Sequence, residues 1–353
     1  PRFEQEPMRI PWSREEEAKV FDQYPRGVAI SDIAKELGRT ESAIRLKAQN
    51  MGLRFASGAN KGFKIATEVP SPNRSVEKIF EDQRAEYEAK RGRQKVKAEG
   101  IRIELEDAGP YALMFTGDPH AGDDGCDLGH LASDLQIIKD TPHMFGANMG
   151  DLTNNWIRAL GHLYAKQHTT DGEELALMRW LIGAADWLFV ILGNHDKWGP
   201  LAAAVCENAG VMAVDHGSMF RIVSGDSELL VDARHTHKGH SMYNPGHAQL
   251  KKNYRGSQAD IIIGAHTHTS AYTQIKNGIT GKIGHAIRVG AYKKVDEYAD
   301  QHDFEDGAIS PSVVAVIDPS ADEVGKVTIF HNPHHAVTFL RALREAWEME
   351  EAA

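Results

Sequence analysis

The sequence predicts an α/β protein with a small all-α three-helix domain ahead of it. Three observations carry this expectation. From residue 101 onward, apolar runs of strand length alternate with segments of helical periodicity. Before that, residues 12–54 hold three helical runs separated by turn residues. Charge divides at the same place: residues 1–100 carry 20 Lys+Arg against 16 Asp+Glu, the remainder carry 20 against 34, and all 18 histidines lie at or beyond His120. The expected division is therefore 1–55 (three-helix domain), 56–100 (linker and charged helix) and 101–353 (the α/β domain), two parts with different jobs.

With 353 residues, 41% of them hydrophobic, the chain can bury a substantial core. No stretch approaches the ~20 apolar residues a membrane span needs, and no N-terminal signal pattern is seen. Two cysteines, Cys126 and Cys206, cannot make a disulfide framework, so a cytoplasmic protein without a membrane partner is expected.

Taken in order, Ser13 and Glu16 form a capping box that opens the first helix, with Val20, Phe21 and Tyr24 on one face. Ser31 is the expected cap of a short second helix that turns Ile33, Ala34 and Leu37 inward. Gly38 makes the turn, and Thr40 caps a third helix through Ile44 and Ala48. The text SDIAKELGRTESAIRLKAQNMGL resembles a helix-turn-helix. With Trp12 and the run Glu15-Glu16-Glu17 ahead of it, the unit is similar to the small Myb/SANT-like or GcrA-like domains of phage and bacterial proteins. That resemblance implies DNA as a partner, with the third helix in the major groove. Arg45, Gln49 and Asn50 would face base edges, with Arg39, Lys47 and Arg54 near phosphates. The competing reading is a module that docks protein or caps the second domain, and the modest positive charge keeps it in play beside the preferred DNA reading.

Residues 55–75 are rich in Gly, Ser and Pro and read as a linker. The following run, VEKIFEDQRAEYEAKRGRQKVKAE, has no broad apolar face and is expected to be a solvated connecting helix with a small anchor at Val76, Ile79 and Phe80. A basic lever along a nucleic-acid backbone is the sharper alternative.

In the α/β part, strands are expected at 111–116, 144–149, 187–192, 229–234 and 260–264, and further β runs at 284–292, 312–317 and 326–331. Helical spacing appears at Leu128, Leu131, Leu135 and Ile138, at Leu175, Leu177, Trp180 and Leu181, and again across Val337–Met349. Five short motifs follow strand ends in one order: GDPHAG, GDLTNN, GNHDKW, ARHTHKGHS and GAHTHT. A lone DxH or HxH says little in a histidine-rich chain. All five in order, each after a β run, place Asp, Asn and His where open sheets carry their sites. Imidazoles mixed with hard oxygens suit Mn²⁺, Fe²⁺, Zn²⁺ or Ni²⁺.

This motif set resembles the calcineurin-like metallophosphoesterase superfamily. The resemblance implies a β-sandwich of two mixed sheets flanked by helices, and two divalent transition metal ions, Mn first among them. It places Asp118, His120 and His268 on the first ion, Asp151 on both, and Asn194 and His266 on the second. His235, at the end of the strand LLVDAR, is chosen over His237 and His240 to complete the set. His195 is the implied general acid, oriented by Asp151 or Asp196. The implied chemistry is phosphodiester hydrolysis by a metal-bridging hydroxide, with nucleic acid, DNA first, as the expected substrate. The alternative is a phosphomonoesterase or small-nucleotide phosphodiesterase whose N-terminal module serves in assembly. Two positions depart from the family pattern, Ala265 in GAHTH and Asn154 in GDLTNN. Asn154, Asn155 and Trp156 are expected along the cleft. The stretch 235–256 is read as a long loop that either covers the site with Lys251, Lys252 and Arg255 or is a mobile surface loop.

Overall fold

A computed structural model describes residues 11–55, 74–156, 167–239, 241, 243–294 and 309–353. The chain divides into two compact units, Pro1–Phe80 and Glu81–Ala353.

In the first unit three helices, α1 (Arg14–Gln23), α2 (Ile30–Leu37) and α3 (Glu41–Asn50), enclose Val20, Tyr24, Ile30, Ile33, Ala34, Ile44 and Ala48. The Ser13–Glu16 capping box and the Thr40 cap are formed, and Gly38 ends α2 in the left-handed region at φ +62°. Two details differ from expectation. Helix α2 begins two residues early, so Ser31 lies inside it and Ala29 stands at the N-cap without a side-chain bond. Phe21 points outward, 61% exposed, while Val20 and Tyr24 carry the contact.

The charges of this unit are sorted by Trp12. Arg39 forks onto Glu16 at 2.9 and 3.1 Å and lies 4.8 Å from the Trp12 ring centre. Lys47 pairs with Glu17 beside the same ring. Two of the three cations expected near phosphates are thus already engaged within the module, while Arg54 is exposed. Arg45, Gln49 and Asn50 are exposed, spaced so that one outer face of α3 presents them. The next helix, α4 (Val76–Glu99), carries surface pairs such as Lys90–Glu86 and Lys95–Glu99. Of its expected anchor only Ile79 is half-buried, while Val76 and Phe80 are 61% and 68% exposed.

The second unit is the sandwich that the resemblance implies. One sheet has the order β1 (Ile101–Glu104), β6 (Gly217–Ser224), β7 (Ser227–Arg234), β8 (Ile261–Gly264), β10 (Ile283–Arg288), β9 (Ala271–Lys276). The other runs β12 (Val327–Phe330), β11 (Ser312–Ile317), β2 (Tyr111–Thr116), β3 (Met144–Asn148), β4 (Trp187–Leu192), β5 (Ala213–Asp215). Each mixes parallel and antiparallel neighbours.

Between the sheets lie Leu113 and Phe115 of β2, Phe189 and Ile191 of β4, Phe220 and Ile222 of β6, and Ile261 and Ile263 of β8. Phe189 and Phe220 stack across the sheets with ring centres 3.8 Å apart. The outer face of the second sheet is covered by α5 (Leu128–Asp140), α6 (Asp171–Gly183), α7 (Leu201–Asn208) and α9 (Pro333–Glu351), through Leu131, Leu135, Met178, Leu181, Val205 and Leu340. Strand β2 is buried on both faces, which is why YALMFT is an unbroken apolar run.

The stretch 235–256 is not a loop throughout. It contains α8 (His247–Tyr254), which buries Ala248, Gln249 and Asn253. Lys252 turns to Asp232 at 3.3 Å, so it is not poised over the motifs. Among the described residues no helix is long and apolar enough to cross a membrane, and both cysteines are free.

Candidate metal centre

Strands β2, β3 and β4 run parallel to one another, as do β7 and β8 in the facing sheet. Their C-terminal ends deliver Asp118, Asp151, Asn194-His195, His235 and His266 in turn, and His268 follows on the β8 loop. Three donor sets result, each with ligand atoms within 4.8 Å of one another: Asp118–His120–His268, His120–Asp151–His195 and Asp151–His235–His266. Asp151 and His120 each belong to two of them.

Backbone conformation at these positions is costly. Asp118, His120, Asp151, His266 and His268 have φ of 43°, 44°, 56°, 78° and 55°, in a region that non-glycine residues rarely enter. Each such residue costs on the order of 1–3 kcal/mol and persists where the surroundings hold it. Gly193 shows how close the holding is: a Cβ there would overlap Asp151 Oδ1.

Hydrogen bonds fix which ring nitrogens are available. His235 Nδ1 donates to Met149 O at 2.8 Å, leaving Nε2 to face Asn194 Oδ1 at 2.9 Å, His266 Nδ1 at 3.1 Å and Asp151 Oδ2 at 3.2 Å. His120 Nδ1 donates to Asn154 Oδ1 at 2.9 Å, because the Asn154 amide nitrogen is already spent on Asp123 and Gln167. Its Nε2 meets His268 Nε2 at 3.2 Å. Acceptor lone pairs therefore converge on two points, an arrangement that needs a positive charge at each. Asp118 adds an orphan: Oδ2 accepts from His266 N–H at 2.6 Å, while buried Oδ1 has no hydrogen-bond partner. The residues present fit two divalent cations, in chemistry as well as in position.

Titration follows the same crowding. Burial pushes Asp118 up to about 8, with His235 opposing and Asp151 adding to the rise. Burial works against charge on His235, yet the Asp151 hydrogen bond and the Asp118 and Asp151 charges hold it at about 9. His120 falls well below its ordinary value through burial and the neighbouring His268. His195 falls through burial, against the pull of Asp151.

His237 is turned away, its Nε2 on Ile263 O at 3.0 Å, and His240 lies outside the described residues. Asp196 does not orient the His195 ring. It accepts the backbone N–H groups of Asp151, Leu152 and Gly193 at 2.7–3.0 Å and so fastens the β3 and β4 loops together. The ring of His195 is held instead by Asn154 O, which accepts from Nδ1 at 2.6 Å. Asp151 Oδ1 accepts the backbone N–H of His195 at 2.9 Å.

Two residues escaped the sequence reading. Arg288 is 9% exposed, donates to Thr267 Oγ1 between the two loop histidines at 2.8 Å, and leaves Nε buried without a partner. A lone arginine inside the apolar run IGHAIRVGAY was the available signal. Gln167 ties Asn154, Trp156 and Glu174 together, and nothing in its own sequence surroundings announced it.

No family model matches this chain, and no curated protein matches it. Among solved structures it is similar to an archaeal phosphodiesterase at 13% identity, covering 62% of this chain and 98% of that one, with a TM-score of 0.37. Calcineurin-like phosphoesterase YfkN from Bacillus subtilis is 11% identical over 67% of this chain and 99% of that one, also at 0.37. Nuclease MPE from Pseudomonas putida is 14% identical over 62% and 87%, at 0.29. At these values none of them bears on what this chain does.

Proposed function

We propose that the chain is a metal-dependent phosphoesterase that hydrolyses a phosphodiester of nucleic acid, with DNA as the first candidate. One observation carries the reading. Two donor sets, Asp118–His120–His268 and Asp151–His235–His266 with Asn194, stand side by side at the ends of parallel strands, and His195 stands next to Asp151.

Asp118, His120 and His268 would hold one divalent ion, and Asn194, His235 and His266 the other, with Asp151 between them. Bound there, the ions would supply Lewis acidity at phosphorus and a water of lowered pKa. The chain's own contributions are separate. Asn154 orients His120 and His195 together, one through its side chain and one through its carbonyl. His195 keeps Nε2 for proton exchange and gives a proton to the departing oxygen. The buried guanidinium of Arg288, which donates to Thr267 between His266 and His268, places a positive charge beside the site. It favours an anionic phosphoryl group beside the site.

The exposed α3 face with Arg45, Gln49 and Asn50 supports a DNA partner for the first unit, while the internal pairing of Arg39 and Lys47 narrows the cationic footprint. The acidic balance of residues 101–353, 20 Lys+Arg against 34 Asp+Glu, favours the second reading, a small-nucleotide phosphodiesterase or phosphomonoesterase. A hydrolysis assay of Mn²⁺-loaded protein decides. Cleavage of labelled DNA that disappears in Asp151→Asn and weakens when residues 1–60 are deleted supports the nuclease reading. Turnover of p-nitrophenyl esters with DNA left intact rejects it in favour of the small-substrate one.

A further inference from the structure

Three aromatic rings meet beside the metal centre. Trp156, just beyond β3, and Trp198, at the end of the short turn Asp196–Trp198 after β4, flank the ring of His195 with centre separations of 5.3 and 4.1 Å. The two indoles are 6.2 Å apart and inclined by only 32°. Asn155 joins the two loops by donating to His195 O at 2.8 Å, and Trp156 is fixed by its Nε1 donating to Gln167 Oε1 at 2.8 Å.

Both indoles are half-buried. Among the described residues neither takes part in a hydrophobic cluster, whereas Trp187 does. Indoles usually bury their large apolar area in a core or an interface. Trp156 and Trp198 stand beside His195 in fixed geometry and offer planar faces instead. A nucleobase stacks on such a face whatever its sequence, because every base has a π-face.

We propose that Trp156 and Trp198 form a stacking platform for the heteroaromatic base of the departing nucleoside. The side is set by His195, which protonates the departing oxygen, so this assignment rests on the hydrolase reading above. The platform selects a substrate class: phosphate esters whose leaving group carries a planar base one sugar away from phosphorus. It also predicts tolerance of different bases, since no base-edge hydrogen bond is needed.

Two measurements on the full chain test it. The first compares kcat/KM for a dinucleoside monophosphate with that for the same diester carrying an abasic sugar on the leaving side. The base should improve kcat/KM about tenfold, and Trp156→Leu or Trp198→Leu should pull the ratio toward one. Trp156→Phe and Trp198→Phe should retain most of it, which separates stacking from damage to His195. The second titrates tryptophan emission with a nucleoside monophosphate, where quenching is expected that the double leucine variant loses. A wild-type ratio near one with no quenching overturns the platform and leaves the hydrolase reading intact, provided both diesters turn over. Quenching without turnover of either diester sustains the platform as a base-binding site and sinks the hydrolase reading instead.

Discussion

His235 Nε2 and Asn194 Oδ1 face one another at 2.9 Å, although His235 has already given its Nδ1 hydrogen to a carbonyl. Without metal a proton on Nε2 closes the gap, and it is retained because burial is outweighed by the Asp151 hydrogen bond and the Asp118 and Asp151 charges, which hold His235 at about 9. A divalent ion must displace that proton, so apparent metal affinity should rise as pH is raised from 6 toward 9, by up to about tenfold per unit for each proton released. Competition with a chelator across that range measures it, and a flat profile would remove His235 from the ligand set.

Stability of the metal-free protein should move the other way. A folded pKa raised above 6.5 makes His235 stabilising below 6.5, and this contribution is lost as pH climbs through about 9. Asp118, raised from 3.8 to about 8, acts in the same sense and is lost by about pH 8. Thermal melts of the metal-free protein are expected to fall by several degrees between pH 6 and 9. Saturating Mn²⁺ should flatten the curve, because an ion replaces the missing positive charge.

Asp151→Asn removes the shared carboxylate with little strain of its own, since asparagine tolerates the left-handed φ of 56° found there. The expected protein is folded, with a melting temperature near wild type, but holds fewer than two ions per chain. Hydrolysis should drop by about three orders of magnitude or more, the scale on which preorganised electrostatic groups act. Elemental analysis after dialysis, read with the melt, separates lost metal from lost fold. Two ions retained per chain would show that Asp151 does not bridge them.

Loss of His195 should depend on the leaving group. p-Nitrophenolate departs without a proton, whereas a nucleoside alkoxide does not. His195→Ala is therefore expected to slow a dinucleotide by about 10²–10⁴ and bis-p-nitrophenyl phosphate far less. Equal losses on both substrates would recast His195 as a structural or metal-binding group.

Much of the sandwich was legible because burial on both faces writes itself as continuous apolar text. YALMFT, WLFVIL and SVVAVI were readable as strands for that reason. Strands β1, β5, β6 and β9 are half-exposed or short: Ile101–Glu104 alternates half-buried and exposed positions, and Gly217–Ser224 breaks its buried run at Met219, Arg221 and Val223. Their signal was too weak beside charged neighbours. Helix α8 was hidden because its buried positions include Gln249 and Asn253, polar residues inside a helix read as loop. The motif residues were visible since each follows a strand end. The direction of the hydrogen bonds was not: Asp196 serves three backbone N–H groups, where the text GNHD had suggested a partner for the His195 ring. In the first unit, the helix-turn-helix resemblance pointed Arg39 and Lys47 toward phosphates, while the acidic run that opens α1 had already claimed them.

Asn154 gives the sharpest test of how the centre is oriented, because it is fully buried and reaches both histidines. Asn154→Ala deletes the acceptor for His120 Nδ1 and the donors to Asp123 and Gln167, but keeps the carbonyl that holds His195. His120 is then free to adopt the other tautomer and present a proton where a lone pair is needed. Metal affinity should fall about 10–100-fold, the usual cost of losing a partner that orients a ligand. Activity at saturating metal should recover substantially, because His195 keeps its tether. Asn154→Asp restores an acceptor for His120 but sets a carboxylate 2.7 Å from Asp123, where the amide had donated. It should recover affinity only in part. If Asn154→Ala instead binds metal as wild type does, the His120 tautomer is fixed by the ion itself and the amide only packs the loop.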